Sequence, residues 1–189
     1  MSKGIGLNDE QRLPWLQAIH NSLKAWKQHE LSGVLACSAL KQKYRCLLNS
    51  NINYLTPSQT ETQIDLGVVF VILNCDKSLI EERLSKRTDH EIVKDSRILD
   101  SQFDALELPD PANSIWHDEN GSYLCKEPIE SPSYLPSSIE NQHNRFYYVF
   151  VLKVNRNSSV QNIVDYIIHV FSSSPFSKLN AYLKSNKNR

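Results

Sequence analysis

The sequence predicts an α/β domain whose sheet is mainly parallel. Short apolar runs of strand length, at 33–38, 67–73 and 145–154, alternate with segments that have the apolar spacing of amphipathic helices. The run GVVFVIL at 67–73 is apolar at consecutive positions, as expected of a parallel strand covered on both faces. With 189 residues, 40% hydrophobic and 22% charged, the chain fits one domain over 1–189 with a sizeable core.

The first helix is predicted over residues 8–31. Asn8 and Gln11 have the spacing of a capping box, and the two acidic residues after Asn8 favour the positive end of a helix. Pro14 disfavours helical geometry at the residue before it, so we expect a short first turn and then a longer helix with Pro14 in its opening turn. The residues expected on its inner face are Trp15, Ile19, Leu23 and Trp26.

Residues 33–38, GVLACS, are predicted to form a buried strand. Ser38 is the expected N-cap of a helix over 39–48, because serine is a favoured residue at that position. The apolar stripe expected on this helix consists of Leu40, Tyr44, Leu47 and Leu48.

The later elements follow the same alternation. After the strand at 67–73, Ser78 and Glu81 have the spacing of a second capping box and predict a helix start. The next helix is expected to bury Ile98, Leu99, Phe103 and Leu106. After the strand at 145–154, the last helix, at 159–171, is expected to bury Val160, Ile163, Val164, Ile167 and Ile168.

Three stretches are predicted to lie outside the packed core. Residues 49–66 are polar and favour a surface excursion, and residues 172–189 favour a frayed basic tail. Residues 109–144 hold five of the eight prolines and many Ser, Asn and Glu residues, so we expect an insertion without stable structure of its own.

Composition excludes several classes of function. Basic and acidic residues balance at 21 each, so no nucleic-acid partner or anionic membrane surface is expected. No apolar run is long enough to span a bilayer, and the first residues lack the apolar centre of a signal peptide. The four scattered cysteines predict reduced thiols in a cytoplasmic protein, and the dispersed histidines make a zinc site unexpected. A homodimer is left open.

One cluster of residues predicts a binding site for an anion. Ser38 ends a predicted strand, and ligands gather beyond the carboxyl ends of parallel strands. Lys41 and Arg45 are four residues apart and would lie on the same side of the following helix. Two cations beside a helix N-terminus suit an anionic substrate. The alternative is a solvated basic helix face.

Three segments, taken in order, carry a family resemblance. They are KGIGLNDEQRLPWL (3–16), VLACSALKQKYRCLL (34–48) and residues 79–109, which end in RILDSQFDALELP. Together, and above all in ACSALK-x-x-YR and LND-x-x-R-x-PWL, they resemble gluconokinases. That family is similar in fold to shikimate kinase and comprises small P-loop kinases that transfer phosphate from ATP to a hydroxy acid. The resemblance implies a P-loop-kinase-like three-layer domain that uses ATP and Mg²⁺.

The resemblance also implies roles for individual residues on the sugar-acid side. Arg12, Lys41 and Arg45, beside Ser38, match the positions that would hold the carboxylate of gluconate and orient its hydroxyl group. For Arg12 the alternative is an ion pair on the helix surface.

On the nucleotide side, Arg83 and Arg87 match the hinge and lid that close over ATP, together with His90. Lid arginines neutralise charge as the phosphoryl group is transferred. Arg87 is the residue we expect to be catalytic, and Arg83 has either that role or a bracing one. His90 is expected to be a structural lid residue.

The sequence lacks one part of the family pattern. Ahead of KGIGLND the family has a strand, a G-x-x-x-x-G-K-[ST] loop with its helix, and a second strand. None of the five glycines here begins such a loop. We therefore expect a chain without the N-terminal strands and the phosphate-binding loop, poorly able to bind ATP. The missing first strand would lie between the strands that end at Ser38 and Leu73, and without it both would expose unpaired backbone.

Three functions remain open at this point. The first is a gluconokinase that phosphorylates D-gluconate to 6-phospho-D-gluconate. Its N-terminal part is then either missing from this sequence or removed by alternative splicing. Alternatively, the chain is a non-catalytic truncated isoform that binds a sugar acid or a partner subunit. The third is a related kinase for another small hydroxy acid. On physical grounds this chain alone is expected to be inactive.

Overall fold

A four-stranded sheet with helices on both faces forms the centre of the molecule. The computed structural model describes residues 7–50, 66–86, 96–128 and 146–172. The helices are α1 (Asp9–Gln28), α2 (Gln42–Ser50), α3 (Lys77–Ser85), α4 (Ser96–Asp104) and α5 (Val160–Ser172), with a 3-10 turn at Pro111–Asn113. The strands are β1 (Val69–Cys75), β2 (Ser114–His117), β3 (Tyr123–Pro128) and β4 (Phe146–Val154).

The strand order in the sheet is β1-β4-β3-β2. β1 and β4 pair in parallel, whereas β3 is antiparallel to both β4 and β2. The predicted α/β class is therefore confirmed, and the parallel pairing is the one between β1 and β4. β2 and β3, here called the hairpin, are antiparallel because a tight turn joins them.

Side chains of β4 alternate between two cores, as the pleat of a strand requires. On one face, Tyr147, Val149 and Val151 pack with α1 and α2. On the other face, Phe150 and Leu152 pack with α3 and α5. This gives three layers, with α1 and α2 on one side of the sheet and α3 and α5 on the other.

α1 begins where the sequence predicts. The Asn8 side chain accepts a hydrogen bond from the Gln11 amide at 2.8 Å, and the Gln11 side chain accepts one from the Asn8 amide at 3.0 Å, so the capping box is confirmed. The predicted short first turn is wrong, because the helix runs unbroken through Pro14. A proline this close to the helix start removes only one backbone hydrogen bond, which packing of the inner face can offset.

The prediction for the inner face of α1 is confirmed in part. Ile19 and Leu23 pack against the core as expected, but the fully buried residues are Leu16 and His20, and Trp15 is 41% exposed. His20 Nδ1 lies 3.0 Å from the Leu48 carbonyl oxygen, and this buried contact ties α1 to α2. Because α1 packs on α2 as well as on the sheet, the position of these neighbours decides which side of the helix is covered.

Residues 33–38 do not form the predicted buried strand. They have no regular secondary structure, and Val34 is 99% exposed. A strand needs hydrogen bonds from a neighbouring strand, and in the described ranges no strand pairs with this segment. An apolar run alone therefore did not make a strand.

The prediction of a low-order insertion is wrong for residues 111–128, which contain the 3-10 turn and the hairpin. Asp118 starts the tight turn by accepting hydrogen bonds from the amides of Asn120 (2.9 Å) and Ser122 (2.7 Å). Gly121 in this turn has φ +84°, a conformation that suits glycine. Residues 129–144 lie outside the described part of the chain.

Other details of the prediction are also corrected. α3 begins at Lys77 with Asp76 as its N-cap residue, so Ser78 lies inside the helix and the second capping box is wrong. On α5, Ile163 and Ile167 pack inward as expected. The α5 residues predicted to be buried but found exposed are Val160, Val164 and Ile168. Residues 51–65 and 173–189, from the two other polar stretches, lie outside the described ranges.

Candidate functional site

The basic cluster consists of Asp9, Lys41, Lys43 and Tyr44, with Arg12 beside it. Lys41 Nζ donates to Asp9 Oδ1 at 3.0 Å. Lys43 Nζ donates to the other carboxylate oxygen, and the Tyr44 hydroxyl donates to Oδ1. A single carboxylate thus gathers two ammonium groups and a phenol from a distant part of the chain.

Two helix starts bring these side chains together. Asp9 is the first residue of α1, directly after the capping residue Asn8. Lys43 and Tyr44 lie in the first turn of α2, and Lys41 precedes that helix. Leu16 of α1 and Leu47 of α2 belong to the same buried core cluster, so the contact between the helix ends follows from the core beneath them.

Arg12 lies one turn after Asp9 on α1. Its Nε donates to the Leu7 carbonyl at 3.0 Å, which holds the half-buried guanidinium near the helix start. The positive charge of Arg12 also lowers the pKa of Tyr44, although other influences raise it more. Arg12 therefore adds a third cation to the region around Asp9.

The Asp9 carboxylate stays ionised in this setting. Hydrogen bonds from Lys43 first, and then from Tyr44, hold the pKa of Asp9 well below its usual range, although partial burial acts in the opposite direction. Burial first, and then the hydrogen bond to Asp9, raise the pKa of Tyr44 above its ordinary value. At neutral pH the cluster therefore contains one carboxylate, a neutral phenol and three cations.

The two lysines retain capacity for a further anion. Each ammonium group carries three donors, and the bond to Asp9 uses one of them. The side chains of Lys41 and Lys43 are 26% and 36% exposed, so a solute can reach them. Lys41 Nζ also lies 5.6 Å from the centre of the Tyr44 ring, within cation–π range.

The side chains of Arg45 and Lys41 have different partners, although the sequence predicts both on one side of a helix. α2 begins at Gln42, and Lys41 directly precedes it: the Lys41 carbonyl accepts a helical hydrogen bond from the Arg45 amide at 3.2 Å, but the Lys41 side chain goes to Asp9. Arg45 is fully buried and donates to the Glu127 carboxylate at 2.8 and 3.0 Å.

The remaining donors of Arg45 also go to the protein. They reach the carbonyl oxygens of Ala39 (3.2 Å), Leu40 (3.0 Å) and Glu107 (3.0 Å). A guanidinium group has five N–H donors, so this arrangement leaves none for a ligand. Burial alone would lower the pKa of Arg45, but the hydrogen bonds and charge of Glu127 more than offset it and raise the pKa above its ordinary value.

The N-terminus of α2 is also occupied. Ser38 is exposed and lies too far before Gln42 to be the N-cap that the sequence predicts. Instead, the amide of Gln42 donates to the Glu107 carboxylate at 2.6 Å. A carboxylate of the protein thus takes the place where an anionic ligand was expected.

Arg83 lies on the opposite face of the sheet, in the last turn of α3. Its Nη2 donates to the Ser158 carbonyl at 3.1 Å, which connects α3 with the segment before α5. The other two predicted lid residues, Arg87 and His90, lie outside the described residues. The structure therefore brings Arg12 and Lys41 together but joins neither to Arg83.

Sequence reasoning missed Asp9, Lys43 and the two glutamates, Glu107 and Glu127. Asp9 was expected only to favour the positive end of the first helix, although it lies inside the motif LND-x-x-R that also supplies Arg12. Its spacing from Lys41 carries no local signal. Glu127 falls in the stretch that was predicted to lack structure, so nothing in the sequence pointed to it.

The described residues were also compared with the requirements of a metal site and of a membrane-spanning helix. Among them, no group of three or more His, Cys, Asp or Glu side chains could hold a metal ion. Within the same ranges, every helix is either too short or too polar to cross a membrane.

Similar proteins are known. The chain is 37% identical over 122 residues to a probable gluconokinase of Rattus norvegicus, and this match covers 62% of the chain and 65% of that protein. It is 38% identical over 109 residues to a gluconokinase of Arabidopsis thaliana, covering 57% and 56%. It is 36% identical over 113 residues to a probable gluconokinase of Dictyostelium discoideum, covering 58% and 50%. The chain thus spans about half to two thirds of the length of these curated relatives. No family model and no solved structure matches it.

Proposed function

The chain belongs to the gluconokinase family, and from this membership we propose that it serves the phosphorylation of D-gluconate to 6-phospho-D-gluconate. ATP is the proposed phosphate donor, with Mg²⁺ as the metal ion. The described residues hold the sugar acid in this proposal.

The observation that carries the proposal is the basic cluster. Lys41 and Lys43 pair with one partly exposed carboxylate, Asp9, and with Arg12 one turn further along α1 the positive charges exceed that of Asp9. Gluconate is an anion at neutral pH, and a carboxylate is best held by ammonium and guanidinium donors. Arg12 and Lys41 also belong to the two motifs that resemble the family most closely.

The proposed roles follow from the donors that remain. Lys41 and Lys43 hold the carboxylate of gluconate, and Arg12 steadies it from α1. Ser38, with an exposed hydroxyl-bearing side chain ahead of α2, is the proposed contact for a hydroxyl group of the acid. Arg45 is assigned to supporting residues 39–42, because its five donors are taken by protein acceptors.

The nucleotide side of the proposal rests on family likeness. Arg87 is the proposed catalytic lid residue, with Arg83 and His90 as its neighbours. The 189 residues contain no G-x-x-x-x-G-K-[ST] sequence, and among the described residues no group of three or more His, Cys, Asp or Glu side chains could hold a metal ion. We therefore derive no transfer step from the described residues.

A second candidate function, for the 189-residue chain by itself, is binding of a sugar acid without transfer of phosphate. A cytoplasmic location is part of both candidates. None of the four cysteines forms a disulfide, which suits a reducing compartment.

Calorimetric titration of the 189-residue chain with gluconate tests the proposal. We expect saturable binding, and we expect Lys41→Ala to weaken it about tenfold or more, the loss of one or two charge-assisted hydrogen bonds. Lys153→Ala is the matched control, because Lys153 pairs with Asp76 on an exposed surface. Equal affinity in the wild type and the Lys41 variant would contradict the assigned site.

A coupled assay of ADP release separates the two candidates. If the 189-residue chain releases ADP from ATP only when gluconate and Mg²⁺ are present, it is a kinase by itself. Binding of gluconate without ADP release would support the binding function alone.

A further inference from the structure

A buried ion pair connects the hairpin to α2, next to the basic cluster. Glu127, on β3, accepts two hydrogen bonds from Arg45, on α2, and the two side chains are 8% and 1% exposed. Two parallel bonds between a guanidinium and a carboxylate fix orientation as well as distance. α2 and β3 are therefore held in one relative position at this point.

Arg45 extends this connection to the residues just before α2. It bonds the carbonyl oxygens of Ala39 and Leu40, which directly precede Lys41 in the chain. Residues 39–42 are called the Lys41 turn here. Because the guanidinium group is planar and rigid, the bonds to Glu127 on one edge determine where these carbonyls lie on the other.

Glu107 holds the Lys41 turn from the other side. Its amide donates to the Leu40 carbonyl at 2.9 Å, and its carboxylate accepts from the Gln42 amide at 2.6 Å. Lys41 thus has a bonded backbone group on each neighbouring residue. Its own side chain remains partly exposed and directed to Asp9.

The segment that follows Glu107 is bound to the hairpin as well. The Tyr123 hydroxyl donates to the Pro109 carbonyl at 2.8 Å, and the Cys125 thiol lies 3.5 Å from the Asp110 carbonyl oxygen. Both contacts start from β3, the strand that carries Glu127. The hairpin therefore supports the Lys41 turn by two routes, through Arg45 and through residues 107–110.

We propose that the hairpin is a clamp for the Lys41 turn, with Glu127 as a positioning residue that acts through Arg45. The proposal rests on the proposed function, in which Lys41 holds the carboxylate of a sugar acid. The clamp fixes the position of the Lys41 backbone before the ligand binds. The Lys41 ammonium group can then bind the ligand without an additional entropy cost for ordering the turn. Preorganisation of this kind strengthens binding by reducing the entropy lost on association.

A purely structural role for the ion pair predicts different behaviour. It would affect stability and leave ligand affinity unchanged wherever the chain stays folded. The roles can be separated because replacing both partners of a buried ion pair by apolar residues is often neutral or stabilising. Such a replacement preserves the packing but removes the bonds to Ala39 and Leu40.

The test uses three variants of the full 189-residue chain. Glu127→Gln leaves Arg45 without a charged partner, and the double variant Arg45→Met/Glu127→Leu replaces the pair by apolar side chains. Asp118→Asn is the matched control, because it weakens the turn of the same hairpin at the end away from Glu127. Each is measured for gluconate affinity by calorimetry, for amide exchange of Gln42 and Glu107, and for melting temperature.

For Glu127→Gln and the double variant we expect exchange of the Gln42 and Glu107 amides to rise, and gluconate affinity to fall, each about tenfold or more. For Asp118→Asn we expect a lower melting temperature with both other quantities unchanged. A double variant that stays folded with unchanged exchange and affinity overturns the clamp.

Amide exchange separates this proposal from the proposed function. If the wild-type chain does not bind gluconate, the proposed function fails, and the exchange rates still decide whether the hairpin orders the Lys41 turn. If gluconate binds and Lys41→Ala weakens it while both Glu127 variants bind normally, the proposed function stands and the clamp is wrong.

Discussion

Two groups of opposite charges join distant parts of this chain, and they differ in exposure. Arg45 and Glu127 are separated by 82 residues and almost completely buried. Asp9 and its two lysines are separated by 32 and 34 residues and remain about a quarter to a third exposed. In the first group every donor of the cation is used. In the second, each ammonium group keeps donors for another partner.

This difference in exposure indicates that the buried pair supports the structure and that the partly exposed cluster can bind a ligand. A buried charge whose bonds are all made resists any change of partner, because removing one partner leaves an uncompensated charge in a medium of low dielectric constant. A partly exposed cluster exchanges partners at little cost, because water screens the intermediate states. We therefore assign direct ligand binding to the cluster around Asp9, and support of the fold, including the position of the Lys41 turn, to Arg45 and Glu127.

The largest effect is expected from breaking the buried pair. Arg45→Ala should lower the free energy of unfolding by about 3–5 kcal/mol, because it leaves the buried Glu127 carboxylate without its cation. Urea denaturation measures this change. Lys43→Ala is the matched control from the exposed cluster and should lower it by about 1 kcal/mol at most. Similar losses in both variants would remove the distinction between the two groups.

The next effect concerns ligand binding. Arg12→Ala should weaken gluconate binding about tenfold, the value of one charge-assisted hydrogen bond, with a change in unfolding free energy of about 1 kcal/mol or less. Lys24→Ala removes the same charge from a later turn of α1 and should leave affinity unchanged. If both variants bind gluconate equally well, Arg12 does not hold the ligand. The alternative role, an ion pair on the helix surface, is then favoured.

A smaller effect is expected from the titration of Asp9. Its pKa in the folded chain lies below the ordinary value of 3.8, so its bonds stabilise the fold above about pH 4. This contribution is lost as the pH falls below that value towards the lowered pKa. Compared with Asp9→Asn, the wild type should be about 1 kcal/mol more stable at neutral pH, after allowance for solvent screening.

Urea denaturation of both proteins at a series of pH values measures this contribution. The difference between them should be constant from neutral pH down to about pH 5 and then shrink. A difference that grows in acid would contradict the bonding pattern around Asp9.

The smallest effect is expected from an exposed pair on another surface. Lys153 Nζ lies 3.1 Å from Asp76 Oδ1, with side chains 39% and 70% exposed. Asp76→Asn should change the free energy of unfolding by less than about 0.5 kcal/mol, because water screens the attraction. Asparagine also keeps a favoured residue at the start of α3. Urea denaturation at two salt concentrations measures this change. A larger loss of unfolding free energy would mean that this exposed pair contributes to stability as a buried pair does.

Much of the fold could be predicted where the signal is local. The start of α1 followed from Asn8 and Gln11, whose side chains and amides bond across three residues. β4 followed from an apolar run that does lie between two strands. Residues 33–38 had the same apolar character and failed to form a strand, because no neighbouring strand in the described ranges supplies the backbone partners.

The candidate site was predicted in part for the same reason. Arg12 and Lys41 were found because they belong to recognisable motifs. The partners of these cations were missed, since Asp9 and Glu127 reach them across large separations in sequence. Lys41 and Arg45, which the helical spacing had placed together, turned out to have different partners, Asp9 and Glu127.

The sequence by itself determined the α/β class, the first capping box and the resemblance to gluconokinases. These features depend on residues a few positions apart or on motifs that can be read directly. Only the tertiary structure decided that Arg45 is enclosed while Lys41 stays accessible, and that the proline-rich stretch contributes a strand beside β4. The physical reason is that burial and charge pairing depend on residues that are distant in sequence and are brought together by the whole fold. No local sequence pattern specifies these contacts.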